Sequence, residues 1–358
     1  MINLRFHIVS IVAVFLALAI GILTGSTLLD RATVEVLQGR QRSLDSRNGE
    51  LRTENDQLRS VVRQRTEALT AFGADALPGI IDGVITDSPV LFVAMRGIDE
   101  DSVRAAQSAV RDAGGSPLGI VWFDARFDLD DPAALAAIAD VLDASGADKK
   151  LRATIIDRIA EGLAASADDS AFLLPTTTTT STAPAVEDLD PNITVPIEGT
   201  APAVDDPSLS VLSQLADADL IDWESASDGE PGARTLPAGG LEVVLVSGEG
   251  AELSPSRLVY PLARALSAQT PGLVVGEVRS PRTDLDVLDA NDVPVRGALV
   301  DELRGDDVVS GQLITIDNLD EPFGRLSLVL SLADLPDSSS GAYGVADSAD
   351  QAFPTAPR

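Results

Sequence analysis

Residues 88–123 read SPVLFVAMRGIDEDSVRAAQSAVRDAGGSPLGIVWF, and the fold turns on how they are read. Val90 to Met95 is an unbroken apolar run bounded by Ser88-Pro89 and Arg96-Gly97. A strand with one wet face alternates polar and apolar residues. A short run with no polar position marks a strand buried on both faces of a parallel sheet. A helix is predicted from about Ser102 to Ala113, with Val103, Ala106 and Val110 at helical spacing and Gly114-Gly115 as its stop. Leu118 to Phe123 repeats the buried-strand pattern. Strand, helix, strand is a crossover unit, and such units are right-handed.

The alternation continues towards the C-terminus. Asp131 caps a helix that starts at Pro132 and turns Leu135, Ile138 and Leu142 inward. A helix from Leu151 to Ala164 follows. Beyond a break come a helix over Leu209–Ala218, a strand over Leu241–Val246 and a helical segment around Tyr260–Ala268. Pro261 must start or kink that segment, because it lacks a donor and clashes with the preceding turn. Strands over Leu273–Val278 and Gln312–Ile316 come next. Asp317-Asn318-Leu319-Asp320 then leads into a helix with Leu326, Val329, Leu330 and Ala333 inward and Asp320 as its N-cap.

The expected fold class is therefore α/β, a mostly parallel, Rossmann- or flavodoxin-like sheet built from residues 85–170 and 209–335. The break, residues 171–208, holds five consecutive threonines and six prolines between Pro175 and Pro207, too little apolar surface for a core. It reads as a disordered linker or, given the alternation on both sides, as an insertion within one domain; the composition also suits an O-glycosylated stalk. Residues 336–358, rich in Ser, Gly, Pro and Asp, are expected to be loose apart from contacts at Tyr343.

Towards the N-terminus, Ile8 to Leu29 is uncharged. At 1.5 Å per residue it gives about 33 Å of helix, against about 30 Å of membrane hydrocarbon. Two readings stand. Arg5 ahead of the run and Thr24-Gly25-Ser26 behind it suit a cleaved signal peptide, but the run exceeds the usual apolar region and helical periodicity continues past it. A retained transmembrane anchor, residues 1–29, is expected, with a short cytoplasmic head and an exported body. Counting cations does not orient it, since Arg31, Arg40, Arg42 and Arg47 follow the span. Gly21 and Gly25 form a GxxxG pair that lets two helix backbones approach closely.

Residues 30–72 carry a heptad repeat. With Val34 at a, the a series runs Val34, Gln41, Asn48, Asn55, Val62, Leu69, and d runs Leu37, Leu44, Leu51, Leu58, Arg65, Phe72. Leu at d with Asn at a favours parallel two-stranded coiled coils, because a buried Asn pair disfavours other registers and larger assemblies. The flanking pairs Arg40 with Asp45 and Glu54 with Arg59 are complementary, while Arg47 with Arg52 is repulsive. A homodimer, a heterotypic coiled coil and a lone amphipathic helix folded on its own domain all remain open. Gly39 and Gly49 weaken the helix by about 1 kcal/mol each.

Composition narrows the chemistry. The chain of 358 residues has no Cys, which removes disulfides, thiolate nucleophiles and thiolate metal sites. Its one histidine, His7, lies at the mouth of the anchor. Residues 71–358 hold 17 Lys plus Arg against 49 acids, a net charge of −32 that disfavours nucleic acid and anionic membrane surfaces. Met95-Arg96-Gly97-Ile98-Asp99-Glu100 offers one glycine and two acids where a dinucleotide fold needs G-x-G-x-x-G. No P-loop, nucleophile elbow or histidine triad appears. Asp317, Asn318 and Asp320 form the one candidate polar site, at a strand's C-terminal edge, where turn and cap roles compete with ligand binding. No enzyme is expected.

The opening Met1-Ile2-Asn3-Leu4-Arg5-Phe6-His7-Ile8-Val9-Ser10, the run Ala13 to Ile22, the late Thr315-Ile316-Asp317-Asn318-Leu319-Asp320 and Tyr343-Gly344 resemble the actinobacterial MctB copper-transport family. The resemblance implies an envelope protein, described in that family as an outer-membrane channel limiting copper accumulation. It also implies a layout like SteB, a septal coiled-coil protein acting with SteA in cell division. Copper is implied by the resemblance alone. Cu(I) prefers Cys and Met and Cu(II) suits imidazole, whereas this chain offers His7, Met1 and Met95, so no cofactor is assigned. A copper role would then be indirect or partner-dependent. An outer-membrane barrel would need many alternating strands, which the pattern lacks.

Overall fold

A computed structural model of the chain describes residues 4–167, 210–226, 236, 239–270, 273–278, 298–335 and 340–354, without the side chains of residues 4, 26–37, 210 and 298. The Thr/Pro-rich stretch lies outside the described residues. Two compact units divide the chain, Met1–Ala68 and Leu69–Arg358.

The first unit is one helix, α1, which spans Leu4–Ala71 and so runs on into the first residues of the second unit. Its stretch Arg5–Gly25 is long and apolar enough to cross a membrane, and none of it is buried.

The second unit is a seven-stranded sheet with helices on both faces. A π-helical turn over Phe72–Ala76 and α2 (Leu77–Ile81) lead into β1 (Pro89–Met95), α3 (Glu100–Asp112), β2 (Ser116–Phe123), α4 (Pro132–Val141) and α5 (Asp148–Ala167). Then follow α6 (Ser210–Asp217), β3 (Asp222–Ser225), β4 (Glu242–Gly248), α7 (Val259–Ser267), β5 (Leu273–Val278), α8 (Ala298–Arg304), β6 (Leu313–Ile316), α9 (Pro322–Asp334) and β7 (Gly341–Tyr343). The strand order is β3-β2-β1-β4-β5-β6-β7, with every pair parallel except β2 with β3. The elements on either side of residues 168–209 thus share one sheet.

The unbroken apolar runs follow from this layering. Along β1, Leu91, Val93 and Met95 enter one core with α4 to α8, while Val90, Phe92 and Ala94 enter the other with α2, α3 and α9. Along β1 each of these side chains is buried whichever way it points, which favours an apolar residue at every one of these positions. Asp131 caps α4 as expected, its carboxylate accepting from the Ala133 amide at 3.2 Å with Pro132 next in line.

Four expectations change. The N-cap of α9 is Glu321 rather than Asp320, because Pro322 occupies the first helical position and moves the boundary by one. Leu330 and Ala333 pack against the core but are only half-buried, while Leu328 and Leu332 join Leu326 and Val329 fully inside. Phe72 stacks on Phe323 with ring centroids 5.0 Å apart, so the last d position of the heptad packs within the body. Within the tail, residues 340–354 are ordered beyond Tyr343: β7 pairs with β6 in the register Ile314–Gly341, Thr315–Ala342, Ile316–Tyr343, and Tyr343 bridges on to Gln351.

Candidate functional site

Asp317 and Asn318 follow β6 at the C-terminal edge of the sheet, where doubly wound folds place ligands. Asp317 is fully buried, and its carboxylate is already committed. It accepts from the amides of Val345 at 2.7 Å and Ala346 at 3.2 Å and from Arg304 Nη1 at 3.2 Å. Arg304, whose side chain is 8% exposed, also donates from Nε to Thr315 Oγ1 at 2.8 Å and from Nη2 to the Tyr343 carbonyl at 2.9 Å. Gly344 has φ +135°, and a Cβ there would meet the Asp317 carboxylate at 2.2 Å. Together these contacts lock the tail onto β6. Arg304, in α8, was invisible as a partner from sequence, since only folding brings it to Asp317.

Asn318 is fully buried, and among the described residues neither atom of its side-chain amide has a hydrogen-bond partner. Asp320 stands apart, its carbonyl accepting from Arg325 Nη1 at 3.1 Å. Burial pushes the Arg325 pKa down against the charges of Asp320 and Glu321.

The crevice at the topological switch point, between β1 and β4, is closed by backbone. The Glu252 amide donates to the Arg96 carbonyl at 2.8 Å, and Gly97, at φ +88°, lies so close that a Cβ would stand 2.4 Å from the Gly250 carbonyl oxygen. Beside it, a charge network that sequence reading missed ties β3 to the sheet. Trp122 is buried under the Arg96 guanidinium, 4.6 Å from the ring centroid, and its Nε1 donates to Glu224 at 2.9 Å. Arg104 meets Glu224 at 2.8 Å, Arg96 meets Asp222 at 3.1 Å, and Arg126 meets Asp222 at 2.7 Å. The Arg126 guanidinium, helped by Arg96, holds the Asp222 carboxyl below its ordinary value; Arg104 and then Trp122 do the same for Glu224.

A hollow of about 510 Å³ opens between Leu129, Ile156, Pro261 and Ala265. The arginines on its rim are already paired, Arg152 with Asp130, Arg257 with Asp128 and Arg264 with Asp306. Among the described residues no group of three or more His, Asp or Glu is placed to hold a metal ion. The thioether of Met95 is packed in the sheet core, 1% exposed.

On α1 the heptad leucines face outward: Leu44 is 59% exposed, Leu51 61% and Leu58 59%, with Val62 beside them at 55%. Asn48 and Asn55 lie on the same face and are exposed. Val34 and Leu37 fall where side chains are not described. Gly21 and Gly25 have open space within 4 Å of where a Cβ would stand.

These features define an α/β protein with one apolar N-terminal helix and a mostly parallel sheet whose usual ligand crevice is shut. The chain belongs to the family described as copper transport outer membrane protein, MctB, which it matches over residues 1–354. It is 25% identical over 349 residues to the copper transporter MctB of Mycobacterium bovis and to that of Mycobacterium tuberculosis, covering 96% of each chain. The described sheet is open and mostly parallel, unlike the closed antiparallel barrels that span outer membranes.

Proposed function

We propose that this is a non-enzymatic, membrane-anchored cell-envelope protein whose role in copper transport or homeostasis is indirect or partner-dependent. The N-terminus is cytoplasmic, the span is single and uncleaved, and the body is extracytoplasmic. The observation that carries this reading is the family match from the first residue to residue 354, in relatives named for copper transport. The partner-dependent form is supported by the ligand chemistry. The chain has no Cys, one His and two Met, and carboxylates alone make a weak, unselective copper site. Deleting the gene should raise cellular copper and copper sensitivity, with complementation by the intact chain; unchanged copper content in the deletion strain sinks the reading.

A second reading is favoured by the exposed heptad face: a structural or regulatory module of the cell wall or septum, SteB-like and acting with a SteA-like membrane partner. Replacing Leu44, Leu51 and Leu58 with serine should abolish the complex recovered by pull-down of the full-length protein. A complex that survives refutes both the zipper and this reading.

A further inference from the structure

Building on a stalk that grips a partner, we infer that the partner along Asn48–Val62 is a second copy of this chain, lying parallel and in register. A hollow on α1 is lined by Asn48, Leu51, Arg52 and Asn55, with Asp56 and Arg59 at its end. Positions spaced three, one and three apart form a lozenge on one helix face, the four-residue hole that receives a knob in coiled-coil packing. With parallel chains in register, the side chain opposite that hole is Leu51 of the second copy, itself exposed and free to enter.

The asparagines narrow the partner further. The side chains of Asn48 and Asn55 make no hydrogen bond among the described residues, and in a parallel pair each meets its own counterpart, donor to acceptor. An aliphatic residue opposite either would bury an amide with nothing to bind. Of the three flanking charge pairs, Arg40 with Asp45 and Glu54 with Arg59 attract between copies, and Arg47 with Arg52 repels. Exposed pairs of this kind weigh little beside the buried amides.

The anchor supplies orientation. Because α1 is unbroken from Leu4 to Ala71, two copies in one membrane leave it at the same residue and in the same direction. A slip of one heptad would displace one anchor by about 10 Å, a third of the hydrocarbon thickness. Gly21 and Gly25 do not share this seam. Lying 23 and 19 residues before Leu44, they sit roughly 100–140° around the helix from it at 100° per residue, so the seam pairs without them.

The absence of cysteine makes the test direct. Full-length protein in its native membrane, carrying Leu51→Cys alone, should oxidise to a covalent dimer at least tenfold more than protein carrying Thr53→Cys, which lies on the opposite face. Asn48→Ile with Asn55→Ile should keep the helix, raise its thermal midpoint and shift the assembly from dimers to larger species. Gly21→Leu with Gly25→Leu should leave the Leu51→Cys crosslink unchanged. Equal crosslinking at residues 51 and 53, while the serine variant of the three leucines still loses a partner, overturns the second copy in favour of another protein. Loss of the crosslink in the glycine variant overturns the seam. Crosslinking with unchanged copper in a deletion strain leaves this inference standing and removes only the copper role.

Discussion

Replacing Asp317 with alanine should release the C-terminal strand before it unfolds the sheet. The carboxylate lies fully buried between Arg304 and the amides of Val345 and Ala346. Removing one partner of a buried ion pair costs about 3–5 kcal/mol, because the other charge stays desolvated. Arg304 keeps its bonds to Thr315, Ser348 and the Tyr343 carbonyl, and the amide of exposed Val345 can turn to water, so the lower end, about 3 kcal/mol, applies here. The loss falls on β7, held to β6 by only three register pairs. At 1.4 kcal/mol per factor of ten, exchange of the Asp317 and Val345 amides should accelerate about a hundredfold, while amides in β1 and β4 change little. Hydrogen exchange by mass spectrometry on the full-length protein reads both regions at once. Acceleration below threefold at the tail, or equal acceleration in β1, refutes the assignment of Asp317 as the tail's lock. Arg304→Met combined with Asp317→Leu should cost less than the sum of the single changes, since it removes both charges together.

Acidification should loosen β3 first. Asp222 and Glu224 have folded pKa values below their ordinary 3.8 and 4.5, so their stabilisation is present at neutral pH and is lost as pH falls below 4.5 towards the depressed values; both are partly exposed, which limits each to at most about 1 kcal/mol. The only tryptophans, Trp122 and Trp223, flank this network, and their fluorescence should change at a higher pH than the far-ultraviolet circular dichroism. Phe92→Ala, in the inner strand β1 and fully buried, should cost about 3–5 kcal/mol in denaturant melts. Gly97→Ala should cost about 2–3 kcal/mol by the same measure, because it adds a Cβ at φ +88° against the Gly250 carbonyl.

What could be read from the chain in advance depended on where the information lies. β1, β2, β4, β5 and β6 are legible because burial on both faces makes apolar residues dominate each run, with few polar exceptions such as Glu277 and Thr315, and Pro or Gly marks several of their ends. α1 is legible because its period is written residue by residue. β3 is not: Asp222-Trp223-Glu224-Ser225 looks like loop, and it becomes a strand because Arg96, Arg104 and Arg126, about a hundred residues earlier, bind its carboxylates. Gly341-Ala342-Tyr343 hides for the same reason, since its lock, Asp317 with Arg304, is assembled only by folding. Asp317 stood out in sequence as a polar residue at a strand's end. Its neighbours, Arg304 and the amides of Val345 and Ala346, could not be known there.

The closed switch point bears on where any copper-related work is done. A ligand entering between β1 and β4 would have to part the Glu252–Arg96 backbone bond and the glycine contact behind it, and would then meet no sulfur or imidazole, since Met95 faces the core and His7 lies in the N-terminal apolar stretch. Carboxylates are plentiful on the body, but they hold hard cations and protons as readily as copper. On the proposed reading, selectivity for copper therefore has to come from another protein, and this chain's part is to hold that protein at the membrane. If α1 closes its seam with a second copy, the coiled coil cannot also be the surface that recruits the copper-selective component. That component must then bind the paired body or the outer faces of the stalk, and the crosslink at residue 51 and the copper phenotype become separable properties of one chain.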